Sequence, residues 1–136
     1  MSYLLDVNAL VALGFLQHEF HDRVATWVGG MLSKGSVELA TCSITELGFV
    51  RVLMQVPQCR LNIVQARNLL LRLKGASAVK FRFIADDQDI SGLPAWVKTA
   101  RQTTDGHLLQ LARSHGSVFV TLDRKIPRAF LIPSGM

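Results

Sequence analysis

Residues 103–123, "TTDGHLLQLARSHGSVFVTLD", narrow the possible folds more than any other stretch of the chain. From Asp105 to His115, Leu108, Leu109, Leu111 and Ala112 recur on one helical face. The following "SVFVTL" is a short apolar run that reads as a strand buried on both sides. A helix of about eleven residues advances roughly 16 Å at 1.5 Å per residue. The strand returns roughly 20 Å at about 3.3 Å per residue. If "HG" reverses the chain, the start of the helix and the end of the strand fall at one level, and Asp105 and Asp123 become neighbours at one edge of the fold.

The same alternation runs through the rest of the chain. "SYLL" (2–5) reads as a buried strand that ends at Asp6, where "VNALVALGFL" takes up a helical apolar pattern. Val24, Trp27, Val28, Met31 and Leu32 mark a helix from about His21 to Ser33. "VELAT" (37–41) is a second strand, and Ser43 with Glu46 has the form of a capping box opening "ITELGFVRVLM". Asn62 caps a helix that closes at Gly75. "VKFRF" (79–83) predicts a strand with Val79, Phe81 and Phe83 on a buried face; "ADDQDISGLP" predicts a loop, and "FLIP" an edge strand. Strands alternating with helices define an α/β domain with a mostly parallel sheet, and residues 1–136 are read as one domain.

Composition narrows the function. The apolar segments break well before the roughly 20 residues of a membrane-spanning helix. The first residues carry no basic leader, and Asp6 interrupts their apolar run. The expectation is a soluble, cytoplasmic protein without a membrane partner. Cys42 and Cys59 form no CxxC pair, so they read as reduced thiols rather than a disulfide framework or zinc knuckle. Fifteen Lys and Arg against ten Asp and Glu give a net charge of +5, and the pI is near 9.8. That balance favours an anionic partner, of which nucleic acid is the commonest.

Against this basic background, four acids stand at strand ends and helix starts. Asp6 lies at the carboxyl end of the first strand, and Glu46 in the first turn of the helix after the second. A parallel sheet puts those positions on the rim where ligands bind, and Asp105 and Asp123 join them there. Each acid alone has an ordinary explanation as a cap or turn residue. Together, ionised and about 5 to 6 Å apart, they would repel by roughly 3 kcal/mol per pair at an effective dielectric near 20. Six pairs give on the order of 18 kcal/mol, more than the ~5 to 15 kcal/mol stability of a typical domain. Raised pKa values or nearby Arg and Lys relieve part of this, and a bound divalent cation relieves it most directly. All-oxygen ligands suit Mg²⁺ or Mn²⁺, and a hard cation on a basic domain suits phosphodiester chemistry.

With "LLDVNALVAL", "SITELGFVRVL", "TTDGHLLQLA" and "VFVTLD" spread over nearly its whole length, the chain resembles the PIN-domain ribonucleases and, among them, the VapC toxins of bacterial toxin–antitoxin modules. The resemblance implies a PIN-like three-layer α/β/α sandwich. Carried over by position, it makes Asp6, Glu46, Asp105 and Asp123 the catalytic, metal-binding quartet, with Asn8 and Thr121 in support. It further implies Mg²⁺- or Mn²⁺-dependent endonucleolytic cleavage of RNA, a homodimer, and a cognate antitoxin. Gly106 departs from the pattern, where alanine is more usual, and is expected to loosen the first helical turn by about 1 kcal/mol. Two further readings stay open: an RNA-processing PIN nuclease without a toxin role, and a catalytically silent module that binds RNA or a protein.

Arg51 and Arg124 are candidate RNA-phosphate contacts, with Lys125 beside them, against the alternative of simple surface solubility. His18 and His21 flank Glu19 at a spacing open to a metal pair, although exposed histidines at a helix start explain them as well. His107 stands near Asp105, and His115 at a helix end. Asp86, Asp87 and Asp89 read as a solvated turn or an auxiliary acidic cluster. Trp96 reads as a packing residue or a base-stacking platform.

Overall fold

The computed structural model describes residues 1–76 and 78–134. Its strands are β1 (Ser2–Leu5), β2 (Glu38–Thr41), β3 (Lys80–Phe83), β4 (Ser117–Thr121) and β5 (Phe130–Leu131). Its helices are α1 (Val7–Gly14), α2 (His21–Leu32), α3 (Ser43–Gln55), α4 (Ile63–Lys74) and α5 (Thr103–Ser114), with single 3-10 turns at Ile90–Gly92 and Ala100–Gln102. The strands form one sheet in the order β3-β2-β1-β4-β5, and every neighbouring pair is parallel.

Alternation along the strands assigns the two faces. Leu5, Leu39 and Val120 join a core with Ala9 and Leu10 of α1, Val24 and Val28 of α2, Phe49 and Leu53 of α3, and Ala66 and Leu70 of α4. Their neighbours Leu4, Ala40 and Phe119 point the other way, into a second core with Leu108, Leu109, Leu111 and Ala112 of α5. The result is a three-layer α/β/α sandwich, with α1–α4 on one face and α5 on the other. Each fully buried leucine in these cores contributes roughly 1.5–3 kcal/mol.

The reversal between α5 and β4 falls at Gly116, whose φ of +67° is a left-handed conformation that glycine adopts without penalty. The connection 122–129 between β4 and β5 is pinned from both sides. Ile126 is buried in the α5 core, and Ile132, just past β5, is buried in the opposite one.

Three local expectations change. Ser43 is not the cap of α3: the helix is capped at Cys42, whose backbone N–H donates to the Thr45 hydroxyl at 2.9 Å. Glu46 is therefore free of capping. The buried face expected on β3 is incomplete because β3 is an edge strand, where Phe83 is 50% exposed and Val79 and Phe81 pack only partly against the core. The helix through Asp105 begins two residues earlier, at Thr103, so Asp105 sits inside the first turn. Asn62 caps α4 as expected, paired reciprocally with Gln65. Cys42 and Cys59 are both free, and no helix among the described residues is long and apolar enough to cross a membrane.

Candidate active site

The chain passes from β1 to β2 and β3 on one side of the sheet and then returns to β4 and β5 on the other, so the strand order reverses between β1 and β4. The carboxyl ends of two such strands diverge around a crevice, the usual ligand position in open α/β sheets. Asp6 follows β1 at that crevice, and Thr121 and Asp123 end β4 beside it.

Asp6 is fixed by its neighbours on both strands. Its backbone N–H donates to the Val120 carbonyl at 2.9 Å. Its carboxylate caps α1 by accepting from the Ala9 N–H at 2.8 Å, and its other oxygen accepts from the Thr121 hydroxyl at 2.5 Å. The residue is only 6% exposed. Burial pushes its pKa up to about 6, the two hydrogen bonds pull back against that, and the charges of Asp105 and Asp123 raise it further. Thr121 is buried and acts in two directions, since its hydroxyl also accepts from the Asp123 N–H at 2.9 Å. The Asp123 carboxylate is exposed and accepts from the Lys125 N–H at 2.9 Å, which shapes the turn.

Asp105 is half-buried in the first turn of α5. Desolvation raises its pKa first, and the charge of Asp123 adds to the effect. No hydrogen-bond donor among the described residues reaches its carboxylate. Asp6 thus senses the charges of both Asp105 and Asp123, and Asp105 senses that of Asp123.

Glu46 is arranged differently. It does not figure among the charges that raise Asp6 or Asp105. Its Oε2 accepts from the Thr41 hydroxyl at 2.6 Å and is ion-paired with Lys74 at the end of α4. The repulsion expected of four bare acids is therefore relieved in two ways, by Lys74 on Glu46 and by the elevated pKa of Asp6. Among the described residues no three His, Cys, Asp or Glu side chains are gathered closely enough to enclose a metal ion. The donor chemistry nonetheless fits a hard cation: the acids offer only carboxylate oxygen, the charges of Asp105 and Asp123 raise the pKa of Asp6, that of Asp123 raises Asp105, and Asp105 has no competing donor among the described residues.

The remaining candidates are scattered. Asn8 is exposed in the first turn of α1, and Arg51 is exposed on α3. Arg124 lines a groove of about 640 Å³ next to Asp123, together with Arg23, Leu122 and Leu131. His107 and His115 turn away to Asp86 at 2.5 Å and Asp87 at 2.9 Å, tying the loop 85–89 onto α5. Asp89 caps the 3-10 turn at Ile90–Gly92. The His21 ring bonds the Ala12 carbonyl at 2.7 Å and His18 accepts from the Phe20 N–H at 3.0 Å, so both serve local structure. Trp96 packs half-buried against the α5 core.

Lys74 and Thr41 are the residues that sequence reasoning missed. Thr41 ends a strand at the rim, a position that carries a signal; Lys74 lies 28 residues from Glu46 and carries none.

Residues 3–130 match the PIN domain family model. The chain is 41% identical to Ribonuclease VapC38 of Mycobacterium tuberculosis, over 88% of this chain and 84% of that protein. It is 35% identical to Ribonuclease VapC44 of the same species, over 93% and 89% of the two chains. Identity to Ribonuclease VapC29, also from that species, is 34% over 98% of both. The fold superposes on the crystal structure of VapBC2 from Rickettsia felis bound to a promoter DNA fragment with a TM-score of 0.60, at 14% identity, over 96% of this chain and 97% of that one. A sheet whose order reverses between β1 and β4, a family match across almost the whole chain, and these relatives lead to one conclusion: the chain belongs to the PIN-domain family, as a VapC-type member.

Proposed function

We propose that the protein is a divalent-metal-dependent endoribonuclease that hydrolyses RNA phosphodiester bonds and serves as the toxin of a toxin–antitoxin pair. The observation that carries the chemistry is the set of Asp6, Asp105 and Asp123 at the β1–β4 reversal, where the charges of Asp105 and Asp123 raise the pKa of Asp6 and the charge of Asp123 raises that of Asp105. The relatives named as ribonucleases supply the reaction class, and the VapBC complex supplies the partner class.

In this reading Asp6, Asp105 and Asp123, with Glu46 as the fourth ligand, hold Mg²⁺ or Mn²⁺. The bound ion supplies a Lewis acid for the phosphate oxygen and a water of lowered pKa. Thr121 orients Asp6 through its donated hydrogen bond and ties the Asp123 backbone to the same hydroxyl. Asn8 lies in the first turn of α1, two residues after Asp6, and Arg51 and Arg124 offer exposed cations to the RNA backbone. Leu47, Ile63, Leu71 and Phe83 leave an apolar groove beside Glu46, a surface suited to an antitoxin protein. Homodimer formation and a cytoplasmic site of action belong to the same reading and follow from the family resemblance.

The test is cleavage of RNA by purified protein in Mn²⁺, in EDTA, and with Asp6→Asn or Asp105→Asn. Cleavage in Mn²⁺ alone is expected; equal cleavage under all conditions would sink the mechanism. Induced expression should arrest growth, and co-expression of the protein encoded by the adjacent gene should restore it. Normal growth with an active nuclease would instead favour RNA processing.

A further inference from the structure

We infer that Lys74 is the resident counter-cation of the acidic site: it holds Glu46 in the metal-free protein and competes with the divalent ion for that carboxylate. This rests on the metal-dependent reading above.

A lysine in the last turn of a helix is favoured by the helix dipole while its head stays in water. Lys74 does otherwise. Its side chain is only 23% exposed, its ammonium lies 5.5 Å from the centre of the Phe83 ring, and it pairs with Glu46 on the neighbouring helix. Withdrawing a lysine from water this far is sustained only by specific partners, and here an aromatic face and a carboxylate provide them. The exposed Phe83, unexplained as a core residue, thereby has a role at the edge of the sheet.

The pairing is one-sided. Lys74 and the Thr41 hydroxyl both fall on Oε2 of Glu46, and no donor among the described residues reaches Oε1. Glu46 is thus held in place with one oxygen open. A cation arriving at that oxygen shares a carboxylate with a lysine already present, and the two positive charges oppose each other. The three aspartates carry no such partner: neither Lys nor Arg forms an ion pair with them among the described residues. The competition is therefore confined to the Glu46 side of the site.

The test is Mn²⁺ binding to the full chain by calorimetry, comparing wild type with Lys74→Met, which keeps the aliphatic stem, and Lys74→Arg, which keeps the charge. Lys74→Met should tighten Mn²⁺ binding by about tenfold, within the range of changes around metal ligands. Lys74→Arg should change it by less than about twofold, a fraction of that range. In a Glu46→Gln background the effect of Lys74→Met should disappear. If Lys74→Met folds poorly, Lys74→Gln carries the same expectation. Unchanged or weaker Mn²⁺ binding by the neutral variants, with wild type binding normally, would overturn the role of Lys74 alone. A wild-type protein that takes up no Mn²⁺ would overturn the metal reading and this inference with it.

Discussion

The two sides of the acidic rim are held by different means. On the β1–β4 side, Asp6 is fixed by a backbone hydrogen bond to β4, by its own helix cap and by Thr121, and it faces further aspartates without a cation. On the β2–α3 side, the Glu46 carboxylate is held by side chains alone, with Lys74 supplying opposite charge. The first side is built of short residues at element ends and tolerates its own repulsion. The second is built of long side chains and is neutralised. In this rim, then, the aspartate side is placed by the ends of main-chain elements and the glutamate side by the reach of side chains.

The comparison breaks most visibly in activity. Asp6→Asn or Asp105→Asn should reduce RNA cleavage by more than the roughly 10- to 100-fold that changes to outer-shell partners of a metal produce. Initial rates in saturating Mn²⁺ measure this, and wild-type rates in either variant would remove the aspartates from the machinery.

The charge borne by the aspartate side should next appear as pH dependence of stability. Asp6 titrates near about 6 in the fold against an ordinary 3.8, so between those values the folded protein keeps a proton that the unfolded chain has released. Its stabilising contribution is complete below 3.8 and is lost as pH rises through about 6. Asp105, raised in the same sense, adds to the slope. In EDTA, Asp6→Asn should therefore gain on wild type by about 2 to 3 kcal/mol between acidic and neutral pH. Urea midpoints at both ends of the range test this, and parallel curves would show that Asp6 ionises freely.

Thr121→Val should cost about 1 to 3 kcal/mol, because it removes the buried hydroxyl that donates to the Asp6 carboxylate and accepts from the Asp123 N–H. Thr41→Val, on the glutamate side, should cost less, since Lys74 still holds Glu46. Equal losses would erase the distinction between the two sides.

The smallest effect concerns Gly106. A Cβ there would lie 2.3 Å from Cγ2 of Val97, so Gly106 lets the 93–97 segment close onto α5 beside Asp105. Gly106→Ala should gain about 1 kcal/mol of helix propensity and lose about 1 to 3 kcal/mol to overpacking, for a modest net loss. A rise in melting temperature would show that Val97 gives way freely.

The legibility of the molecule follows the same division. Asp6, Asp105 and Asp123 are readable because short side chains at strand ends and helix starts are placed by main-chain periodicity, and the path-length argument for 103–123 needs only rise per residue. The five strands are readable for the same reason. Lys74 is not: a four-carbon stem reaching across two helices leaves no spacing in the sequence. Ser43 looked like the cap of α3 because serine is a common capping residue, yet Cys42 occupies that turn and Thr45 completes the box. Phe83 looked buried because alternation marks a face without telling whether that face is covered at the edge of a sheet.

The connection 122–129 has a mechanical consequence. Asp123 lies between Leu122, packed against the α1–α4 core, and Ile126, buried in the α5 core, so it rides on a short bridge fastened to opposite layers of the sandwich. Loosening either layer slackens the bridge and moves the acid. The position of Asp123 is therefore tied to the packing of both layers of the sandwich at once.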